Sequence, residues 1–336
     1  MPEFNKALWY TFSKNKRIIS IMKEAIVLLN MGGPNNLGEV EMFLHNMFND
    51  PYIIRTKSSL LRRFIAGMIT LTRAEKSQDI YRQIGGKSPL VGHTRTLVAS
   101  LQKNIGDEII VDFIMRYTPP MANEVCKRLQ ERGVEKVYLI PLYPQYSSTT
   151  TQSSLDDFET TAHAIGWDLI TVEIKHFFAH ETYNLCLIER IKETLHGENS
   201  ESFDIIFSAH GLPQKIVDQG DPYQRQVIAH VELIKTMMHK NGLHFNGIHV
   251  AYQSKVGPMK WLEPSLESTL HELKNKRVII VPIAFTIDNS ETDFELSIEY
   301  AEVAHTLGYE TYRVCRCPND HPLFVQTLSE LYQKMK

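Results

Sequence analysis

Two stretches of the chain concentrate residue types able to move protons or to hold a cation. Residues 206–223 read IFSAHGLPQKIVDQGDPY, in which His210 follows the apolar run Phe203, Ile205, Ile206 and Phe207 and precedes turn signals at Gly211 and Pro213. A histidine where a covered strand stops is either a satisfied core imidazole or a working one, because its charge changes near neutral pH. Residues 288–300 read DNSETDFELSIEY and carry Glu291, Glu295 and Glu299 at intervals of four, which puts the three carboxylates on one face of a helix. On a solvated surface such a row is ordinary and mildly self-repelling. Leading away from a crevice, it is suited to pass a hydrated divalent cation or protons, since either relieves the repulsion. One histidine facing one glutamate across a cleft makes a poor permanent metal site, because tight sites take three or more protein ligands. Weak holding suits delivery of a metal to something else, and the same pair can accept protons near neutral pH.

The elements that position these groups read as strands separated by helix-length sequence. AIVLLN from 25, IIVDFIM from 109, KVYLIP from 136 and DLITVEI from 168 form one set; FDIIFSA from 203, GIHVAY from 247, RVIIVPIAF from 277 and TYRVC from 311 form a second. The βαβ spacing predicts an α/β fold of two similarly built lobes, each with a four-stranded parallel sheet flanked by helices and a cleft between them. The expected lobes run over 22–178 and 179–336, joined through the helix-patterned stretch 180–197, with 1–21 as an N-terminal extension. Ligands of open parallel sheets bind beyond the carboxyl ends of the strands. Met31, Gly32 and Gly33 follow the first strand, Arg116 and Tyr117 the second, and Tyr143 to Tyr146 the third. His210, then Gln253 to Lys255, then Asp288 to Glu291 follow strands of the second set.

Composition removes several alternatives. A formal net charge of -3 gives no electrostatic case for nucleic acid, and no run approaches the roughly 18 apolar residues of a spanning helix. MGGP after the first strand matches no phosphate-loop pattern, and neither Ser208 nor Ser254 sits in a GxSxG elbow. The four cysteines, Cys126, Cys186, Cys315 and Cys317, are dispersed without a CxxC pair, which predicts reduced thiols in a reducing compartment. The stretch SSLLRRFIAGMITLTR at 58–73 fits either an ordinary packed helix or one lying on a membrane surface, with an apolar face of Leu60, Leu61, Phe64, Ile65, Met68, Ile69 and Leu71 bordered by Arg62, Arg63 and Arg73. Residues 1–21 do not read as a secretory signal and precede a second plausible start at Met22.

Over about residues 24–330 the chain resembles ferrochelatase, the family that inserts ferrous iron into a porphyrin. The resemblance rests on LLNMGGPNNLGEV (28–40), YRQIGGKSPL (81–90), RYTPPM (116–121), PLYPQYSSTTTQSS (141–154), the SAHGLP block, YQSKVGPMKWLEPS (252–265) and VPIAFTIDNSETDFELSIEY (281–300), in the family's order. It implies two Rossmann-like lobes, His210 and Glu291 at the porphyrin centre as catalytic groups and transient metal ligands, and Met31, Arg116, Tyr117 and Trp261 near the macrocycle. It further implies Ser88 near a propionate, and Glu295 and Glu299 on a metal and proton path. The substrates implied are protoporphyrin IX and ferrous iron, with no permanently bound cofactor.

The chain departs from the family's Asp-His-Ile-Glu, reading Asp288, Asn289, Ser290 and Glu291, so that a second rim histidine is missing and more of the proton and metal handling falls on His210 and Glu291. Animal members hold a two-iron two-sulfur cluster with C-terminal cysteines and an internal one; this chain has Ser147 and Ser148 in that internal region and ends at Lys336, so no iron-sulfur cluster is expected. The shorter form implies a bacterial, cytoplasmic protein whose lip, residues 50–75, makes peripheral contact at the inner membrane. The Asn289 departure leaves a porphyrin- or haem-binding carrier as the alternative to an enzyme, beside a chelatase for another tetrapyrrole or metal.

Overall fold

The computed structural model describes residues 22–255, 257 and 259–336, so the expected extension over 1–21 lies outside the described residues. The first sheet contains β1 (Glu24–Asn30), β2 (Ile110–Met115), β3 (Lys136–Pro141) and β4 (Ile170–Glu173); the second contains β5 (Asp204–His210), β6 (Gly247–Gln253), β7 (Arg277–Pro282) and β8 (Thr311–Val314). All pairings are parallel, in the orders β2-β1-β3-β4 and β6-β5-β7-β8. The second order repeats the first, so the duplication is one of architecture. Helices α1 (Val40–Phe48), α2 (Ser59–Gln83), α3 (Leu90–Ile105), α4 (Ala122–Glu131) and α5 (Ser153–Ala164) belong to the first half of the chain. The second half holds α6 (Glu181–Leu195), α7 (Gln214–Asp218), α8 (Tyr223–Lys240), α9 (Leu266–Glu272), α10 (Tyr300–Thr306) and α11 (Pro322–Met335).

The central strands are apolar throughout because both faces are covered. Ile26 and Leu28 of β1 and Tyr138 and Ile140 of β3 point to one face, whereas Val27, Leu29, Val137 and Leu139 point to the other and meet Val125 and Leu129 of α4 and Leu155 and Phe158 of α5. In the second sheet Phe207, Ile279 and Val281 join the same cluster as Ile26 and Tyr138, while Ile206, Val278 and Ile280 pack with Leu266 and Leu270 of α9. The inner faces of the two sheets therefore share one apolar core, filled by α3, α6, α8 and α11. The last helix, α11, returns to pack on both α3 and α6.

Polar contacts stitch the two sheets together where their strands end. Thr286 Oγ1 donates to Leu142 O at 2.8 Å, and Gln145 Nε2 donates to Ile283 O at 3.1 Å and to His230 Nδ1 at 2.8 Å. His230 Nε2 then donates to Asn184 Oδ1 at 2.8 Å, which sets the tautomer. Burial pushes the His230 pKa down to about 3, so this buried ring stays neutral. The carboxyl ends of β3 and β7 are held against each other by these bonds.

Candidate active site

In each sheet the strand order reverses between the first and third strands of its set, which is where an open α/β sheet leaves a crevice. His210 is the last residue of β5, and Glu291 opens a π-helical segment, Glu291–Glu299, that follows β7. Because β5 and β7 are neighbours, the two side chains meet directly: His210 Nδ1 lies 3.0 Å from Glu291 Oε2. The expectation that they face each other across a cleft is corrected, since both belong to the second sheet. The pair is partly open, with 37% of the His210 and 24% of the Glu291 side chain exposed. Burial lowers the imidazole pKa, but the charge and hydrogen bond of Glu291, with Glu295 behind it, outweigh burial and raise it above its ordinary value.

The strand end beneath His210 is closely packed. Tyr223 Oη donates to His210 O at 2.9 Å, and the Gly211 N–H donates to Gln253 O at 2.8 Å. A Cβ at Gly211 would lie 2.7 Å from that same carbonyl, so only glycine continues the chain there. Trp261 borders the same spot, its Cε3 3.4 Å from that Cβ position, and its backbone bridges to Pro213. The sequence-predicted Trp261 is thus within the neighbourhood of His210, nine-tenths buried.

The acidic row is less uniform than its spacing implies. The segment closes hydrogen bonds to the fifth residue, as from Tyr300 N–H to Glu295 O, so it is a π-helix, a form that recurs at functional sites. Glu295 is partly buried and tied down: its Oε1 accepts the Ser254 N–H at 2.8 Å, and its Oε2 accepts Ser254 Oγ at 2.5 Å and Gln253 Nε2 at 3.2 Å. Ser254 reaches it from a left-handed backbone, φ 65°. Burial and then the Glu291 carboxylate push the Glu295 pKa up to about 7, against the opposing Ser254 bonds and His210. Glu299 stands exposed at the far end.

On the opposing rim Met31 is half-buried after β1, in contact with both the central core and the packing between α1 and Tyr117. Tyr117 is only 3% exposed, and its hydroxyl donates to Asp50 Oδ2 at 2.9 Å. Arg116 is committed as well, 3.0 Å from Asp50 and 3.3 Å from Asp157, with Nε donating to Ser153 Oγ at 2.9 Å. Asp50, buried at the base of the lip, thus collects Arg116, Tyr117 and Ser153, a role with no sequence signal. Ser88 is buried beside Gly33 and lines a cavity of about 770 Å³ together with Lys87, His93, Arg95 and Pro119. His210 and Glu291 do not line that cavity.

The lip meets the other rim through the end of α2, where Tyr81 Oη and Ser290 Oγ are 3.3 Å apart, next to Glu291. Its outer face is inverted relative to an ordinary packed helix. Ala66, Thr70 and Ala74 face inward, while Leu60 is 75%, Phe64 68% and Leu71 80% exposed. Among the described residues no helix is long and apolar enough to cross a membrane, and no cluster of three or more His, Cys, Asp or Glu side chains is arranged to hold a metal ion. All four cysteines are buried free thiols.

The chain is similar throughout to proteins of one family. The family model described as Ferrochelatase matches residues 23–336. The chain is 63% identical over 314 residues to a ferrochelatase of Sulfurimonas denitrificans, covering 94% of this chain and 99% of that protein. It is 42% identical over 315 residues to one of Helicobacter pylori, covering 94% of each. In fold it is similar to SirB from Bacillus subtilis solved with Fe3+, at a TM-score of 0.56, 13% identity and coverage of 94% and 96%. It is similar also to CbiX, a terminal enzyme of sirohaem biosynthesis in denitrifying bacteria, at 0.51, 10% identity and coverage of 93% and 99%. With a family model matched from Lys23 to the last residue, and relatives this alike along nearly their whole length, the chain belongs to the ferrochelatase family.

Proposed function

We propose that this chain inserts ferrous iron into protoporphyrin IX, releasing the inner pyrrole protons and giving protohaem, the last step of haem biosynthesis. The observation that carries the reading is the His210–Glu291 pair, 3.0 Å apart and partly open at the strand-order reversal of the second sheet. With Nδ1 engaged by Glu291, the other ring nitrogen is the one offered to a pyrrole N–H, and Glu291 strengthens the imidazole as a base. Glu291 ligates the incoming iron transiently. Glu295, half-protonated near pH 7, takes up and passes on protons, and exposed Glu299 begins the path from solvent. Met31 and Trp261 pack on the macrocycle and help bend it so that the nitrogen lone pairs face the metal. Arg116 and Tyr117 act at its edge by fixing Asp50 and the lip, and the cavity beside Ser88, with Lys87 and Arg95, suits a propionate.

The exposed apolar stripe of α2, bordered by exposed Arg63 and Arg73, supports peripheral contact with an anionic membrane surface on the cytoplasmic side. The decisive assay is anaerobic ferrous or zinc insertion, followed by haem absorbance or loss of porphyrin fluorescence. Several turnovers per chain support the enzyme. Porphyrin binding by folded protein without turnover overturns it in favour of a carrier.

A further inference from the structure

We infer that Asn289 is a positioning residue for Glu291: Ser290 is already helical, Asn289 caps the turn that begins there and carries the carboxylate, and its side chain sets where Glu291 stands against His210. The first N–H groups of a helix lack intrahelical partners, and an N-cap side chain supplies one to the second or third residue. Asn289 does so here. Its backbone O accepts the Asp293 N–H at 2.9 Å, the first bond of the helix, and its Oδ1 accepts the Glu291 N–H at 2.7 Å. The Asn289 N–H is returned to Thr292 Oγ1 at 2.9 Å, three residues on, which is the reciprocal arrangement of a capping box with threonine in the acceptor position. Its Nδ2 donates back to Ile287 O at 3.2 Å.

Asn289 is 6% exposed, so at the position where the family has a rim histidine this side chain turns into the protein instead of toward the cleft. The residues beside it are anchored independently. Asp288 Oδ1 accepts the Cys317 N–H at 3.0 Å and its Oδ2 accepts Asn319 Nδ2 at 2.6 Å, while Asp288 N–H donates to Asn319 Oδ1 at 2.9 Å. Asp288 therefore fixes the loop to the segment before α11, and Ser290 meets Tyr81 near the end of α2. Among the described residues the Glu291 N–H has one acceptor, the Asn289 amide oxygen. Removing that acceptor frees the Glu291 main chain at its one side-chain tether, while the strand below and the helix above stay pinned.

The inference rests on the iron-insertion reading, and wild-type turnover is its control: absence of turnover by the wild type sinks that reading first. The full chain carrying Asn289→Ala, Asn289→Gly or Asn289→Ser is assayed with zinc and ferrous ion, both substrates varied, and with porphyrin affinity read separately from fluorescence quenching. Serine caps as well as asparagine, and glycine starts a helix at little cost in stability but offers no side-chain acceptor. The alanine and glycine variants are expected to lose roughly 10- to 100-fold in kcat, the scale of a 1 Å misplacement, with porphyrin affinity unchanged within about twofold. The serine variant is expected to recover most of the wild-type rate. Glycine and alanine variants that keep more than about half of kcat overturn the inference, as does a serine variant as impaired as alanine, or a loss confined to porphyrin binding.

Discussion

Replacing Glu295 by glutamine separates two roles for the acidic row, because the structure assigns this carboxylate a cost that depends on pH. Its pKa stands at about 7 against an ordinary 4.5, chiefly through burial and then through the neighbouring Glu291. A pKa raised in the folded state leaves stability intact below about 4.5 and removes it as pH rises through about 7. At 1.36 kcal/mol per pH unit the full cost of ionising Glu295 in place is about 3 kcal/mol. Glutamine has nearly the shape of the protonated acid and never ionises. Glu295→Gln is therefore expected to raise the unfolding free energy, relative to wild type, by about 2 kcal/mol more at pH 8 than at pH 5, whatever constant offset the amide brings. Urea unfolding of both proteins at the two pH values measures this. A gain no larger at pH 8 than at pH 5 would show that Glu295 is ionised throughout and stores no proton. The same variant should raise the metal concentration needed for half-maximal insertion while leaving porphyrin affinity alone, since it removes a charge that attracts cations. Glu291→Gln should come close to abolishing turnover, and equal, small effects of the two changes would reduce the row to a helix face.

His210→Ala should lower the insertion rate by on the order of 10²- to 10⁴-fold without loss of porphyrin affinity, and retention of more than about half the rate would make His210 structural. Because Glu291 raises the His210 pKa, the wild-type rate should fall with decreasing pH from a point above the ordinary imidazole value of 6.5, as the base becomes protonated; a pH–rate profile flat through that range would count against His210 as the acceptor. Gly211→Ala forces a methyl group to 2.7 Å from Gln253 O and should cost about 1–3 kcal/mol in a denaturant melt, with a matching loss of rate as the strand end moves; an unchanged melt would mean that the loop yields freely. Leu60→Ser, Phe64→Ser and Leu71→Ser together should release the protein from anionic vesicles in a flotation assay while sparing turnover on soluble porphyrin, and unchanged flotation would assign lipid contact to another surface.

The central strands β1, β3, β5 and β7 were legible in the sequence because each is a short apolar run bounded by turn residues, and burial of both faces leaves no polar alternation to blur it, whereas the more exposed edge strands β4 and β8 were legible from their β-rich residues and the βαβ spacing. His210 at a strand end and the carboxylates near 290 were legible for the same reason, since parallel-sheet chemistry gathers just past the strands. Strand order was not written in any local stretch. Only the pairing of β5 with β7, set by how covered faces share one core, brings His210 to within 3.0 Å of Glu291 on a single rim instead of across a cleft. Likewise Arg116 and Tyr117 could be placed at the rim from their position after β2, but their partner Asp50 lies in a distant loop with no signal of its own. Asn289 carried a signal that was open to reading, a capping residue three before a hydroxyl at the start of a helix, and there it registered only as an absent histidine. In α2 the amphipathic pattern was plain and its direction was not. Tertiary packing chose Ala66, Thr70 and Ala74 for the interior, because small side chains let α1 approach closely, and so left the large apolar residues facing out.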